Sequence, residues 1–154
     1  MAWLELILER VKIANLELGM LKRLEFSFEN SYQKLHLEAK VSEPDLIFKV
    51  HEAVGVDGVV VSDEWQIYSG EPIFWLKDFI KLRTFEWDSS YSNALIADAS
   101  REKLPQWCLY VEEDEESQEA PQRVVGLNAY PVNFPDFLEL IRKLLGLPYL
   151  LLEV

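Results

Sequence analysis

The spacing of apolar and polar positions changes period several times along this chain. Residues 2–18 put Trp3, Leu4, Ile7, Leu8, Val11, Ala14 and Leu18 on one stripe at 3.6-residue spacing, with Glu5, Glu9 and Lys12 opposite. That spacing predicts a helix with Gly19 suited to its C-terminal end, but Leu6, Ile13 and Leu16 lie off the stripe, so either a second partner covers them or part of the run is a strand. From residue 22 the period drops to two. Leu24, Phe26 and Phe28 alternate with Arg23, Glu25 and Ser27, while Leu35, Leu37, Ala39 and Val41 alternate with Lys34, His36 and Glu38. Glu29-Asn30-Ser31 between them is turn chemistry, so a β-hairpin is expected.

Ser42 opens a second predicted helix. Pro44 falls in its first turn, and Ser42 with Asp45 resembles a capping box. Leu46, Ile47, Val50, Ala53 and Val54 then share one helical face, and Gly55 ends the run. Phe48 falls off that face, so it is expected against a second layer or in solvent. Val59-Val60-Val61 reads as a short buried strand.

Residues 65–91 hold eight of the nineteen aromatic residues and read as strand, turn, helix and strand. Residues 65–68 form the first strand. Pro72 starts the helix, whose wheel gathers Ile73, Leu76, Phe79 and Ile80, with Trp75 and Leu82 at the edge. Phe74 lands among Lys77, Asp78 and Lys81 on the polar side. Thr84–Trp87 returns as a strand. Further strands are predicted at 91–97, 107–112 and 123–130, the last two forming a hairpin with a long acidic tip. Asn133, Pro135 and Asp136 start a fourth helix, with Phe137, Leu138, Leu140, Ile141, Leu144 and Leu145 on its apolar face and Gly146 as its stop. The closing YLLLEV reads as a buried strand or tail. Strands outnumber helices and mostly follow one another directly. The expected fold is therefore a single α+β domain over 1–154, mainly an antiparallel sheet of hairpins carrying about four helices, with a mobile acidic loop at about 113–122.

Composition is that of an ordinary globular chain, with 49% hydrophobic and 27% charged residues. Charge sharpens the picture. The net charge is −12, and residues 51–154 carry nineteen acids against eight bases. Such a surface repels phosphate backbones, so direct nucleic-acid binding is not expected, whereas a basic protein partner is. No uncharged apolar run approaches the roughly 18 residues of a membrane span. Glu5, Glu9 and Arg10 interrupt the first apolar run, so a signal peptide is not expected and a cytoplasmic protein is. A single cysteine, Cys108, excludes an intramolecular disulfide, and its apolar surroundings predict an inert thiol.

Catalytic motifs are scarce. His51-Glu52 is half of a zinc-protease helix, but Gly55 stands where the second histidine belongs. His36 lies on the wet side of the predicted hairpin; two histidines on different elements could meet in space, but with so few N and S ligands in the chain they read as surface or edge residues and no histidine metal site is expected. No Gly-x-Ser-x-Gly and no phosphate-cradling glycine run occurs. No cofactor is implied. Asp57, Asp63, Glu64, Glu71, Asp88 and Asp98 lie near element ends, and two of them in one cleft would make a carboxylate or metal-dependent enzyme, the alternative reading. The favoured reading is a non-catalytic interaction module, of inhibitor or immunity type, that binds a basic partner; it also admits a homodimer. Its candidate contacts are the aromatics Phe74, Phe48, Trp65 and Trp87 and the acids Glu113, Asp114, Glu115 and Glu116.

Overall fold

Period two runs further along the chain than these expectations allow. The computed structural model describes residues 21–54, 64–93, 104–113 and 120–146. Three long strands open it as a meander: β1 (Leu21–Glu29), β2 (Gln33–Ser42) and β3 (Asp45–Val54). The β1–β2 turn is closed by Asn30, whose Oδ1 accepts from the amides of Tyr32 and Gln33, both at 2.8 Å. After them come β4 (Gln66–Ile67), α1 (Pro72–Lys81), a 3₁₀ turn (Thr84–Glu86), β5 (Ser90–Ser92), β6 (Gln106–Glu113), β7 (Gln122–Leu127) and α2 (Phe134–Leu145). The seven strands form one sheet in the order β4-β3-β2-β1-β6-β7-β5. Neighbours are antiparallel except β5 and β7, which run parallel.

The α+β class stands, but the count of about four helices does not. Two α-helices occur among the described residues. The predicted helix over 42–54 is strand β3, paired along its length with β2 through a turn that holds a cis Glu43–Pro44 bond. The reason is legible in the burial. Leu46, Phe48 and Val50 all face the core, at 0%, 3% and 0% exposure, while Ile47, Lys49 and His51 face outward. Phe48 is therefore neither exposed nor a surface anchor. Glu52 continues the inward series at 2% exposure and accepts a 2.5 Å hydrogen bond from Gln33 Nε2 on β2. A charged residue at an inward position disguised the alternation.

Other expectations shift less. Thr84–Glu86 is a 3₁₀ turn rather than a strand, entered through Arg83 in the left-handed region (φ 53°). Strand β5 covers the start of the expected 91–97, of which residues 94–97 lie outside the described residues. Helix α1 buries Trp75, Leu76 and Phe79, whereas Ile80 is 43% exposed. The expected helix at 2–18, the strand at 59–61, the tip of the acidic loop and the closing tail lie outside the described residues.

Both helices pack on one face of the sheet. Rows of opposed residues floor that core: Leu24, Ala39, Phe48 and Val111 in one, Phe26, Leu37, Val50, Leu109 and Val124 in the next. Phe26 meets Phe137 edge-on at 5.0 Å, which seats α2 over β1. Trp75 Nε1 donates to the Leu140 carbonyl at 3.0 Å, which ties α1 to α2.

Where β6 and β7 meet α2, the core becomes aromatic. Trp107 stacks on Phe134 at 4.7 Å and meets Trp87 edge-on at 6.0 Å. Its Nε1 donates to the Ala129 carbonyl at 2.9 Å. Gly126 stands opposite Trp107 in the ladder, and a Cβ there would fall inside the indole. Asn133, at the start of α2, does not cap the helix with its side chain. Its Oδ1 accepts from Trp87 Nε1 and its Nδ2 donates to the Leu82 carbonyl, both at 2.8 Å. Gly126→Ala, by overpacking, and Asn133→Ala, by stranding polar groups, should each lower stability by about 1–3 kcal/mol in urea denaturation. A wild-type midpoint for either would refute the arrangement on which that figure rests.

Candidate functional site

The sheet face opposite the helices is polar, and its register builds one continuous row. His51 on β3 faces His36 on β2, His36 faces Ser27 on β1, Ser27 faces Cys108 on β6, and Cys108 faces Val125 on β7. Ser27 Oγ lies 2.9 Å from His36 Nδ1. A shallow depression of about 490 Å³ adjoins the row, lined by Ser27, Cys108, Ser90, Tyr91 and Val125 among others.

This row lacks the parts of a hydrolytic site. Strand β1 is bonded on both edges, so the amides around Ser27 are committed to the ladders and no donor pair is left for an oxyanion. The residue beyond His36 is a second histidine, not an orienting carboxylate. Burial pushes the Cys108 thiol above its ordinary value; Arg123 opposes this and Glu25 adds to it. A thiol raised in this way holds less thiolate at neutral pH and is a poor nucleophile.

The rest of the open face is a lattice of mixed charge. Tyr110 lies between Arg23 and Arg123, whose guanidinium carbons are 5.0 and 5.5 Å from the ring centre. Glu112 takes Lys22 at 3.4 Å and Arg23 at 3.8 Å. Desolvation works to lower the Arg23 pKa, but Glu25, Tyr110 and Glu112 together raise it above its ordinary value. Trp65 is 39% exposed, with Lys40 and Lys49 at 4.5 and 5.2 Å over its ring.

An apolar groove of about 300 Å³ lies where α1 ends, bounded by the 3₁₀ turn and the ends of β1, β6 and β7. Leu76, Phe79 and Val111 line its buried part, and Ile80 and Phe85 are its exposed members, at 43% and 64%. Glu113 also lines it. Sequence reasoning missed this groove because it placed Ile80 in the core and Phe85 in a strand.

The structure does not gather the expected contact residues into one surface. Phe48 is buried. Trp87 is half-buried in the aromatic core, 5.7 Å from Phe137. Phe74 is 64% exposed on the outer side of α1, in the helix layer, while Trp65 packs with lysines of the opposite face. Glu113 is at the groove; Asp114, Glu115 and Glu116 lie outside the described residues. Of the candidate acids, Glu64, Glu71 and Asp88 are exposed, and Asp57, Asp63 and Asp98 lie outside the described residues. A surface depression between α1 and α2 does carry Asp78, Asp136 and Glu139, but Lys143 stands 3.8 Å from Asp78 and Arg142 pairs with Glu139. Among the described residues, no three or more His, Cys, Asp or Glu gather to hold a metal, and no helix is long and apolar enough to cross a membrane.

Compared with family models, curated proteins and solved structures, the chain matches none.

Cys108, the one cysteine of the chain, gives a direct readout of its surroundings. Because its pKa is raised, iodoacetamide should alkylate it more slowly than free cysteine at about pH 8, with a rate still climbing where free cysteine levels off. A rate equal to free cysteine would show an open, unperturbed thiol.

Proposed function

We propose that this protein is a non-catalytic interaction module whose docking surface is the groove beside α1. One observation carries the reading: Ile80 and Phe85 are exposed beside a groove whose inner members, Leu76, Phe79 and Val111, are buried. Burial of such exposed apolar side chains by a partner is favourable at roughly 25 cal/mol per Å². Charge selects the partner. Glu113 lines the groove and begins the acidic run EDEESQE at 113–119, which contains no base. A segment that carries apolar side chains beside lysine or arginine fits both features. In this reading the module tethers or masks a basic protein, as an inhibitor of immunity type does. Carboxylate catalysis receives less support, since the acids grouped beside α2 face Lys143 and Arg142 on an open surface.

The test uses synthetic amphipathic peptides with one Leu/Phe face and either Lys/Arg or Glu on the other. The basic peptide should bind, and its affinity should fall several-fold between about 0.05 M and about 0.3 M salt as the Debye length shrinks. Phe85→Glu and Ile80→Asp should each weaken it at least about tenfold, the scale of 1.4 kcal/mol. Phe74→Ala, on the outer side of α1, should leave it unchanged. Equal binding of acidic and basic peptides, or indifference to Phe85→Glu, would defeat the proposal; self-association lost in Phe85→Glu would identify the groove as a homodimer contact instead.

A further inference from the structure

The two histidines of this chain, placed on separate elements by sequence reasoning, stand directly opposite each other on β2 and β3. This follows from residues 45–54 being a strand. We propose that His36 and His51 form a two-imidazole site for a late first-row divalent cation such as Zn²⁺ or Ni²⁺, with Ser27 as a positioning residue.

Directly opposed residues of an antiparallel pair hold their Cβ atoms about 4.5–5.5 Å apart on one face, so both rings rise from the same patch of sheet. Ser27 flanks His36 on the β1 side and His51 flanks it on the β3 side. The Ser27 Oγ contact occupies Nδ1 of His36 at 2.9 Å, leaving Nε2 as the ring's other donor atom. In the tautomer that protonates Nδ1, its N–H donates to the serine oxygen and Nε2 carries the lone pair; in the other tautomer the serine hydroxyl donates to Nδ1. A hydrogen bond that fixes tautomer and ring orientation is the usual support of a metal-bound histidine. His36 is exposed and His51 half-exposed, so an ion reaches them from solvent.

The same-face neighbours are Lys34 and Glu38 on β2 and Lys49 and Ala53 on β3. Lys49 is drawn toward the Trp65 ring at 5.2 Å. Glu38 is the nearest carboxylate along the strand, and the remaining coordination positions face water. Two imidazoles favour zinc, nickel or copper over magnesium or calcium, which take oxygen ligands. The site is independent of the groove, which lies on the helix side of the sheet.

Calorimetric titration of the full chain with Zn²⁺ and Ni²⁺, alongside NMR of the histidine rings, tests it. One saturable equivalent in the micromolar range is expected, shifting the ring signals of both histidines, with no response to Mg²⁺. His36→Gln and His51→Gln are conservative changes outside the core and should each weaken binding at least about tenfold. Ser27→Ala should weaken it less than either and change the His36 tautomer signals. Absence of saturable binding at millimolar Zn²⁺, or undiminished affinity in the His36→Gln/His51→Gln double variant, would overturn the proposal; the second result would place the ion elsewhere on the acidic chain.

Discussion

The missing side chain of Gly126 is the constraint on which this architecture rests. It lets the Trp107 indole lie against β7, where a Cβ would occupy the same space. From there the indole reaches the Ala129 carbonyl, stacks on Phe134 and meets Trp87. Those contacts join the outer half of the sheet to the start of α2 and to the segment after α1. An aromatic side chain buries about 150–250 Å², so removing Trp107 from water contributes roughly 4–6 kcal/mol before ordering costs. Any displacement of the indole loosens three elements together, because Asn133 ties Trp87 and the end of α1 to the same point.

That clamp also decides which sheet face is covered. Helix α2 is seated by Phe134 and Phe137 over Trp107 and Phe26, and α1 is seated on α2 by Trp75. The described helices thus occupy one side, and the described residues of the other face form a plane of alternating charges and rings. Ion pairs on such a plane contribute little each, about 0–1 kcal/mol. Among the described residues, stability therefore comes mainly from the covered face.

The covered face was legible wherever the alternation was clean. The β1–β2 hairpin, the β6–β7 pairing and both α-helices follow directly from apolar spacing. Strand β3 did not, because Leu46, Ile47, Val50, Ala53 and Val54 satisfy a helical wheel while Leu46, Phe48 and Val50 satisfy a strand. The hairpin pairing with β2 settled the matter, and only that pairing explains an inward Glu52 opposite Leu35. Burial within an aromatic cluster was equally invisible, since the wheel expels Phe74 correctly but has no information on Trp87. The groove depends on the join between α1 and the 3₁₀ turn at Arg83, whose left-handed backbone has no marker such as glycine. The histidine pair required β3 to be a strand, and so could not be reached from the helix reading.

Charge distribution separates the two candidate surfaces in a way the net figure of −12 conceals. The described residues hold fifteen acids and eleven bases, and the rest of the chain holds twelve acids and four bases. Most of the excess thus lies in the sequence outside the described elements. On the open face, Lys22, Arg23, Lys34, Lys40, Lys49 and Arg123 stand among Glu25, Glu29, Glu38 and Glu112, so bases outnumber acids there and the histidine row is not a general cation trap. At the groove, Glu113 leads directly into four more acids by residue 119. The field of an exposed charge falls off over about 8 Å at physiological salt, so Glu113 bears on the groove it lines and hardly at all across the sheet. In the proposed reading, selectivity at the groove joins short-range charge to apolar contact, whereas at the histidine row it would rest on two ring nitrogens and on the serine beside one of them.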